Sequence, residues 1–420
     1  MRSGSDEVPL HQRMRDTSVR LRHLTPGDRL DLTSGRTDPP ISRMQDPGIG
    51  RTPAAPHPPP RCRDDHPRIA AATATFPRYT ATFVSSVSMC PACALSASNL
   101  SYRCETSGMN RLTDDDATRI LKRWIDGNGA RLLGTGMEGA VYEVDQNRIA
   151  KIWFAQSGAS LQQLRLFYDA LSAKSFRFET PRIHEVHRVE DRCITIEKRL
   201  AGTNVSNHLE TGRTGFEEAR STLVDVLAEL AGSGRLPAAR TLPVMGESVP
   251  LHDVAEDFPD ALADLAERRL ARFRRTLDAA VEELDKKAAA LRGRLREVDS
   301  RRRSVIHGDL ILGNILVDED IAPIAVLDWG FFTTEGDPAF DAAVAASIFD
   351  MYGDAALDTE LGLYAQLEER LGYTRESLLV YRAAYSLITA NAYDADGNDG
   401  HFAWCAAALN RPDVVDALLG

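Results

Sequence analysis

Apolar residues show no regular spacing before Met109, whereas after it they recur at the spacings typical of helices and strands. The segment 1–108 is rich in Pro, Arg, Ser and Thr, contains no Lys, and includes Pro-His-Pro-Pro-Pro at 56–60. It shows neither the helical nor the strand repeat of apolar residues. Such a composition buries too little apolar surface to offset the entropy of ordering. We therefore predict that 1–108 is a disordered tail, or an over-extended start with translation beginning at Met109.

Between Met109 and Gly202 the pattern alternates between short apolar runs and helical repeats. Thr113 precedes a helical repeat that runs towards Gly127, and its hydroxyl is suited to capping the first turn. The predicted strands cover 130–133, 140–144, 149–154, 183–189 and 193–200, and a helix is predicted over 161–173. This order predicts a small, mostly antiparallel sheet with one helix inserted, spanning 109–202.

After Gly202 the pattern is helical almost to the end. One helix is predicted over 216–232, and a long charged helical stretch over 260–303 with a break near Gly293. An insert resembling a β-hairpin, 304–329, interrupts these helices. The chain is therefore predicted to be an α+β protein with a helical part over 203–420. The arginines of the charged stretch favour a solvated face, with an anion-binding surface as the alternative, at positions 268, 269, 272, 274 and 275.

Composition and charge narrow the class of protein. The 420 residues are 43% hydrophobic and carry a net charge of -11. An acidic protein is a poor nonspecific binder of nucleic acid and is compatible with a cationic substrate. The chain has no run of eighteen apolar residues and no secretory signal. We therefore expect a soluble, cytoplasmic protein with neither nucleic acid nor membrane as a partner.

The cysteines give a weak signal for metal or redox chemistry. Cys90 and Cys93 have the spacing of half a zinc site or of a redox pair. No second pair of ligands follows at a suitable distance, so an incidental pair within the tail is the favoured interpretation. Cys193 and Cys405 are the cysteines of the remaining chain, which leaves no disulfide framework and fits a reducing compartment.

The strongest chemical signal is a His-Gly-Asp-Leu motif followed by an Asn and by Asp-Trp-Gly. Asp309 precedes Asn314 by five positions, and Asp328 ends an apolar run directly before Trp-Gly. Phosphoryl transfer needs a carboxylate beside the attacking hydroxyl, and oxygen ligands that hold Mg²⁺ against the phosphates. Predicted strands at 314–317 and 324–327, joined by an acidic turn, would bring Asn314 and Asp328 together.

These motifs resemble those of the aminoglycoside phosphotransferase group, which includes choline-kinase-like and fructosamine-kinase-like enzymes. The resemblance covers roughly 125–400. It implies a two-lobed protein-kinase-like fold, ATP with Mg²⁺, and phosphate transfer to a hydroxyl of a small molecule. It further implies that Asp309 is the catalytic base, that Asn314 and Asp328 bind the metal, and that His307 supports the catalytic loop.

A glycine-rich loop and a lysine form the second signal. Gly134, Gly136 and Gly139 precede Val141, and Lys151 follows ten positions later within an apolar strand. Glycines let backbone N–H groups approach a phosphate, and an inward-facing lysine needs an anionic partner. The loop alone would fit a plain β-turn, but with the downstream motif these five residues are predicted to bind the nucleotide.

The helix after Lys151 departs from the family pattern. It lacks the Glu that would pair with this lysine, and Asp169 is its nearest acid. Asp169 is equally compatible with an ordinary exposed helix position, so the pairing is left open. Glu197 and Leu200 lie at the end of the strand that leads to the inter-lobe hinge, and are candidate adenine contacts by position.

The acceptor side gives less specific signals. Asp394, Asp396 and Asp399 form an acidic loop that could meet ammonium groups of an aminoglycoside-like or choline-like acceptor, although a solvated loop is favoured. Asp337 before a proline predicts a helix N-terminus. By the same resemblance, Asp341 would brace the catalytic loop.

A small-molecule kinase is the leading interpretation. A nucleotide-binding pseudokinase or regulatory module is the alternative, and the missing helix Glu is its support. Phosphorylation of a protein is disfavoured, because the segment 329–337 before the next predicted helix is too short to bind a polypeptide in the usual way. The acceptor, the choice between ATP and GTP, and the oligomeric state stay open.

Overall fold

The computed structural model describes residues 112–125, 129–136 and 138–420. The predictions made for the segment 1–108, for its cysteine pair and for a start at Met109 lie outside the described residues. No helix in the described ranges is long and apolar enough to span a membrane.

A five-stranded antiparallel sheet forms the first described part of the chain. Its elements are α1 (Asp114–Leu121), β1 (Arg131–Thr135), β2 (Gly139–Glu143), β3 (Arg148–Trp153), α2 (Gly158–Ser172), β4 (Ile183–Val189) and β5 (Arg192–Lys198). The strands lie in the order β1-β2-β3-β5-β4, and every neighbouring pair is antiparallel. The predicted cap is also confirmed, since Thr113 Oγ1 accepts a hydrogen bond of 3.1 Å from Asp116 N. Helix α1 ends at Leu121, however, and does not run towards Gly127 as predicted.

The two faces of this sheet serve different purposes. Successive side chains of a strand point to opposite faces. One face packs against α1 and contributes Ala140, Tyr142, Ala150, Ile152, Ile194 and Ile196 to a core cluster. Lys151 and Thr195 alternate with these residues and are directly opposite each other on β3 and β5. They therefore lie on the other face, whose Trp153 and Cys193 join the larger core together with α2.

The rest of the chain is mostly helical. Its elements are β6 (Thr203–Asn204), α3 (Val205–Glu210), α4 (Phe216–Gly232), α5 (Phe258–Ala280), α6 (Leu284–Val298), β7 (Ser304–Ile306), β8 (Ile315–Val317), β9 (Pro323–Val326), β10 (Thr334–Gly336), α7 (Pro338–Ile348), α8 (Ala356–Leu371), α9 (Arg375–Thr389), α10 (Gly400–Asn410) and α11 (Pro412–Leu419). Together with the sheet, this confirms the predicted α+β class, with a small antiparallel sheet followed by a mostly helical part. The division into lobes at residue 202 stays a prediction.

The long charged helical stretch is broken at a different place from the one predicted. Helix α5 ends at Ala280, and Gly293 lies inside α6. Glu283, between the two helices, adopts a left-handed backbone conformation with φ 47°. The side chain of Asn410 accepts a hydrogen bond from Glu282 N and donates one to Ala280 O, at 2.9 and 2.8 Å. A distant residue thus satisfies backbone groups that the break exposes.

The arginine-rich part of α5 is solvated only in part. Arg272, Arg274 and Arg275 are exposed, as the favoured interpretation requires. Arg269 is buried, and its guanidinium donates to the backbone carbonyls of Ile388 and Asn391, each at 3.0 Å. For Arg269 the prediction was wrong, because this side chain links α5 to the C-terminal end of α9.

The insert over 304–329 contributes to two small sheets instead of one hairpin. Strands β8 and β9 pair antiparallel, as predicted, and β6 adds a third strand beside β8. Strand β7, however, pairs with β10, which the sequence analysis placed in a loop. The His-Gly-Asp motif begins directly after β7. Because β7 pairs with β10, and α7 begins two residues after β10, the motif is flanked by this strand pair and by α7.

Candidate active site

The backbone of the His-Gly-Asp motif is held by a carboxylate from α7. Asp341 is buried, and it accepts hydrogen bonds from His307 N at 2.9 Å and from Gly308 N at 2.8 Å. Burial raises the pKa of Asp341 to about 6, against these two hydrogen bonds. This is the bracing contact expected of Asp341. Asp337 instead caps α7 by accepting from Ala339 N at 2.9 Å, as its sequence context predicted.

His307 is buried in a position that keeps its imidazole neutral. Its Nε2 lies 2.8 Å from the carbonyl oxygen of Leu327, so this nitrogen must carry the proton and donate. Nδ1 then accepts from Asp309 N at 3.3 Å. Burial lowers the pKa of His307 to about 4, although the Leu327 carbonyl opposes the shift. His307 therefore ties the backbone of Asp309 to Leu327, the residue before Asp328; its supporting role in catalysis stays a prediction.

Asp309 has the properties of a general base poised near neutral pH. Its side chain is half-buried at the end of the catalytic loop. Burial, followed by the negative charges of Asp328 and Glu138, raises the pKa of Asp309 to about 7. A carboxyl group with a pKa near the working pH combines a usable ionised fraction with adequate basicity.

The β8–β9 hairpin brings Asn314 and Asp328 to the same end. Leu327 N donates to Asn314 O at 2.8 Å, and Ile315 is paired with Val326. Asn314 Nδ2 donates to Asp309 O at 2.9 Å, so the amide oxygen is the atom that could bind a cation. Asp328 has a left-handed backbone with φ 59°, a conformation that non-glycine residues adopt at a cost and that is frequent at functional sites.

Lys151, on strand β3 of the sheet, reaches the carboxylate of Asp328. Its Nζ lies 3.5 Å from Asp328 Oδ1 and 3.6 Å from Glu138 Oε2, and 3.9 Å from the ring centre of Trp153. Burial acts to lower the pKa of Lys151. The charges of Asp328, Glu138 and Glu197 outweigh burial, and the pKa lies above its ordinary value. The ammonium group is therefore charged and available to a phosphate.

The glycine loop turns tightly above Lys151. Gly136 N donates to Gly139 O at 2.8 Å, and Phe154 N donates to Glu138 O at 2.9 Å. A Cβ on Gly139 would lie 2.4 Å from Ile152 O, so only glycine allows β2 and the loop to approach β3 this closely. Val141 is directly opposite Lys151 in the β2–β3 register, and Gly134 pairs with Val141 across a β-bulge.

The donor atoms present suit a magnesium ion that is shared with a nucleotide. No group of three or more His, Cys, Asp or Glu side chains within the described ranges could by itself hold a metal ion. Mg²⁺ is commonly bound by one or two carboxylates together with substrate phosphates and water, so a complete protein cage is unnecessary. Asp328 and the amide oxygen of Asn314 are hard oxygen donors of the required type.

A family model decides what kind of protein carries this arrangement. The model described as "Phosphotransferase enzyme family" matches residues 129–379, which is more than half of the chain. This chain belongs to the phosphotransferase enzyme family. The resemblance drawn from the sequence motifs is thereby confirmed. The match includes the glycine loop, Lys151 and the whole segment from His307 to Asp328.

Solved structures similar to this phosphotransferase-family chain include three antibiotic phosphotransferases. Aminoglycoside phosphotransferase APH(3'')-Id from Streptomyces rimosus is 18% identical, with 64% of this chain and 96% of that chain covered and a TM-score of 0.43. Macrolide 2'-phosphotransferase MphH from Brachybacterium faecium is 19% identical, covering 71% and 99%, with a TM-score of 0.42. Aminoglycoside 2'-phosphotransferase-IIIa is 14% identical, covering 71% and 96%, with a TM-score of 0.46. No curated protein matches the sequence.

Helix α2 of this family member offers a tyrosine to the site. Asp169 is exposed, and the carboxylates within 4 Å of Lys151 Nζ among the described residues belong to Glu138 and Asp328. Tyr168 is buried, and its pKa is raised well above the ordinary value by burial and then by Glu197, Asp328 and Glu138. The sequence analysis missed Tyr168. Its only sequence signal is its place on the apolar face of α2.

Glu138 was also missed, although it stands inside the glycine loop. Burial raises the pKa of Glu138, and the charge of Lys151 opposes that shift. Its position between Gly136 and Gly139 was the available signal, but the sequence gives no indication that it reaches Lys151.

Glu197 and Leu200 lie differently from each other at the end of β5. Glu197 is buried on the face that carries Lys151, and it accepts a hydrogen bond from the hydroxyl of Thr195. Leu200 is half-buried just after the strand. The side chain of Glu197 therefore lies on the face of the sheet that carries Lys151, whereas the sequence analysis named Glu197 only as a candidate adenine contact by position.

Aromatic rings connect the catalytic loop to the acidic loop 394–399. Tyr385 is near Asp309, whose charge contributes to raising the pKa of Tyr385 after burial and Tyr393. Tyr393 stacks on Phe331 with ring centres 6.2 Å apart, and lies 5.0 Å from the ring of His401.

The three aspartates of this loop have local structural roles. Asp399 Oδ1 caps α10 by accepting from Phe402 N at 2.7 Å. Asp394 Oδ1 accepts from Asp396 N at 2.7 Å, and Asp396 lies 3.5 Å from Arg275. A role in acceptor binding stays a prediction for all three.

Proposed function

We propose that this chain is an ATP-dependent phosphotransferase that moves the γ-phosphate to a hydroxyl group of a small molecule. Asp309 is proposed as the catalytic base, with Asn314 and Asp328 as metal ligands. One observation carries the proposal: Lys151 Nζ from the sheet lies 3.5 Å from Asp328 Oδ1, and Asn314, at the same end of the β8–β9 hairpin as Asp328, donates to Asp309 O at 2.9 Å. Phosphoryl transfer depends on such convergence of a cation, a metal-binding carboxylate and a base.

The residues divide the work by charge and position. Lys151 and the glycine loop residues Gly134, Gly136 and Gly139 would hold the nucleotide phosphates, because ammonium and backbone N–H groups are donors to anions. Asp328 and the amide oxygen of Asn314 would hold Mg²⁺, which when bound would neutralise phosphate charge. These contacts orient the terminal phosphate towards the catalytic loop.

Asp309 would accept the proton of the attacking hydroxyl. With a pKa of about 7, the Asp309 carboxyl is partly ionised at neutral pH and is a stronger base than an ordinary aspartate. Three contacts keep Asp309 in place: two hydrogen bonds from the loop backbone to Asp341, and the contact between His307 and Leu327. Asp341 and His307 would act in this way without touching the substrate. Positioning and charge neutralisation then account for most of the rate enhancement.

The acceptor is proposed to bind between the catalytic loop and the aromatic rings of Phe331 and Tyr393, which stack on each other and are partly exposed. Aromatic faces suit the apolar surface of sugars or the cationic groups of amines. The acidic loop 394–399 lies next to these rings and favours a cationic acceptor, such as an aminoglycoside-like, choline-like or sugar-amine compound.

The test is ADP release from the protein with ATP and Mg²⁺, across a panel of aminoglycosides, choline, fructosyl-amines, sugars and amino alcohols. Asp309→Asn keeps the shape of the side chain but removes the base, and should lower kcat by a factor of about 10²–10⁴. Asp169→Asn is the matched control, since Asp169 is an exposed aspartate of α2, and should leave the rate unchanged.

An unchanged rate in Asp309→Asn would refute the assignment of the base. Binding of ATP without turnover on any acceptor of the panel would favour the pseudokinase interpretation. That interpretation drew on the missing helix Glu, and the carboxylates of Glu138 and Asp328 around Lys151 weaken its support.

A further inference from the structure

Two carboxylates lie within 4 Å of Lys151 Nζ and a third, Glu197, lies on the same face of the sheet; the first two have other tasks under the proposed function. Asp328 is a proposed metal ligand, and Glu138 belongs to the glycine loop that would cover the phosphates. The side chains of both are also accessible, with exposed fractions of 39% and 40%. The phosphates of a bound nucleotide would therefore compete with both Asp328 and Glu138 for the ammonium group of Lys151.

Glu197 is the third carboxylate, and its position does not depend on the loop or the metal. It lies on β5, the strand paired with β3, and only 7% of its surface is exposed. Lys151 is directly opposite Thr195, and Glu197 is two positions further along the same face. Cross-strand residues in this diagonal relation lie about 7–8 Å apart, within reach of two long side chains.

A directed chain of hydrogen bonds fixes the Glu197 carboxylate. Trp153 Nε1 donates to Thr195 Oγ1 at 2.9 Å, which leaves the single Thr195 hydroxyl proton to be donated to Glu197. Glu197 is therefore the acceptor at the end of the chain, as an ionised carboxylate requires. The Trp153 ring that starts this chain also lies 3.9 Å from Lys151 Nζ. The Trp153 side chain thus helps to fix the positions of both the Glu197 carboxylate and the Lys151 ammonium group.

We propose that Glu197 is the residue that positions Lys151 for nucleotide phosphates, in place of a carboxylate from α2. This inference rests on the proposed function, since it assumes that Lys151 binds those phosphates. Asp169, the one acidic residue of α2, is exposed and leaves this task unfilled. A buried, hydrogen-bonded carboxylate on the paired strand can attract Lys151 independently of the glycine loop and of the metal ligands.

The test is a double-mutant cycle on the affinity for a non-hydrolysable ATP analogue with Mg²⁺, measured by calorimetry on the full chain without acceptor. The variants are Glu197→Gln, Lys151→Met and both together. Glu197→Gln should weaken binding about tenfold when Lys151 is present and less than about twofold when it is Met. Glu185→Gln is the matched control: Glu185 is on the adjacent strand β4 and pairs with His187, and its loss should leave affinity unchanged.

The outcomes separate this inference from the proposed function. If Lys151→Met weakens binding but Glu197→Gln does not, or weakens it equally with and without Lys151, the positioning role is refuted while nucleotide binding stands. If the wild-type protein does not bind the analogue, both the proposed function and this inference fail. If Glu197→Gln does not fold, Glu197→Asp replaces it in the cycle: a loss that requires Lys151 supports the role, and a loss independent of Lys151 refutes it.

Discussion

Gly308, between His307 and Asp309, is the position where a single added methyl group should be most informative. Its backbone is left-handed, with φ 75°. A Cβ built there would lie 2.4 Å from Phe332 Cβ, 2.7 Å from Phe332 O and 2.9 Å from Phe332 C. Those atoms belong to the main chain or adjoin it, and Phe332 is fully buried against Phe340, so a rotamer change cannot relieve the clash.

Two terms contribute to the expected cost of Gly308→Ala. A left-handed backbone with a Cβ costs about 1–2 kcal/mol. The clash with a well-packed core adds about 1–3 kcal/mol to this cost. The free energy of unfolding should therefore fall by about 2–5 kcal/mol, the sum of these ranges. The loop must also shift away from Phe332, which would move Asp309 and lower activity.

Gly372 provides the matched control. It ends α8 with φ 72°, and a Cβ built there has no atom within 4 Å. Gly372→Ala therefore carries the backbone term alone, about 1–2 kcal/mol. Urea unfolding, followed by circular dichroism and tryptophan fluorescence, gives both free energies. If Gly308→Ala costs no more than Gly372→Ala, the steric argument is wrong, and the glycine is explained by its backbone conformation alone.

Three further predictions concern stability. Thr113→Ala removes the cap of α1 and should cost about 0.5–2 kcal/mol in thermal unfolding; no change would mean that the cap is dispensable. Glu335→Gln should cost about 1.5–3 kcal/mol in urea unfolding, because fully buried Glu335 accepts from Leu236 N at 2.7 Å; a neutral result would contradict a charge-assisted bond. Burial, and then the charge of Arg382, lowers the pKa of His401 to about 4. The unfolded chain, with a His pKa of about 6.5, then binds more protons between these values, so stability falls as pH drops from 6.5 towards 4. His401→Gln should lose about 2–3 kcal/mol less than wild type between pH 7 and 4.5, and parallel pH profiles would refute this.

Local repeats were enough to predict the elements that build the site. Helix α4 and strand β4 have the predicted bounds, because their apolar period is unbroken and turn residues flank them. The β8–β9 hairpin was also predictable, since two apolar runs joined by a short acidic turn are well placed to pair with each other. That hairpin placed Asn314 and Asp328 correctly with respect to each other.

Long-range contacts decided the features that the sequence analysis missed. The break after Ala280 is stabilised by Asn410, which is far away in the sequence and gives no local signal. Strand β10 is too short for a period to be visible, and it exists because β7 pairs with it. Arg269 is buried because its guanidinium finds carbonyl partners at the end of α9.

Within the site, the partners of Lys151 are likewise fixed by long-range contacts that the local sequence does not reveal. The sequence alone determined that a lysine on an apolar strand, a glycine loop and the motifs around Asp309 belong to a phosphotransferase. Which carboxylates surround that lysine was decided by the tertiary structure, through the register of β3 and β5 and the path of the glycine loop. Side-chain repeats determine which face of a strand a residue occupies. The residues it meets on that face depend on which strands pair and in which register, and pairing joins positions with no common local pattern.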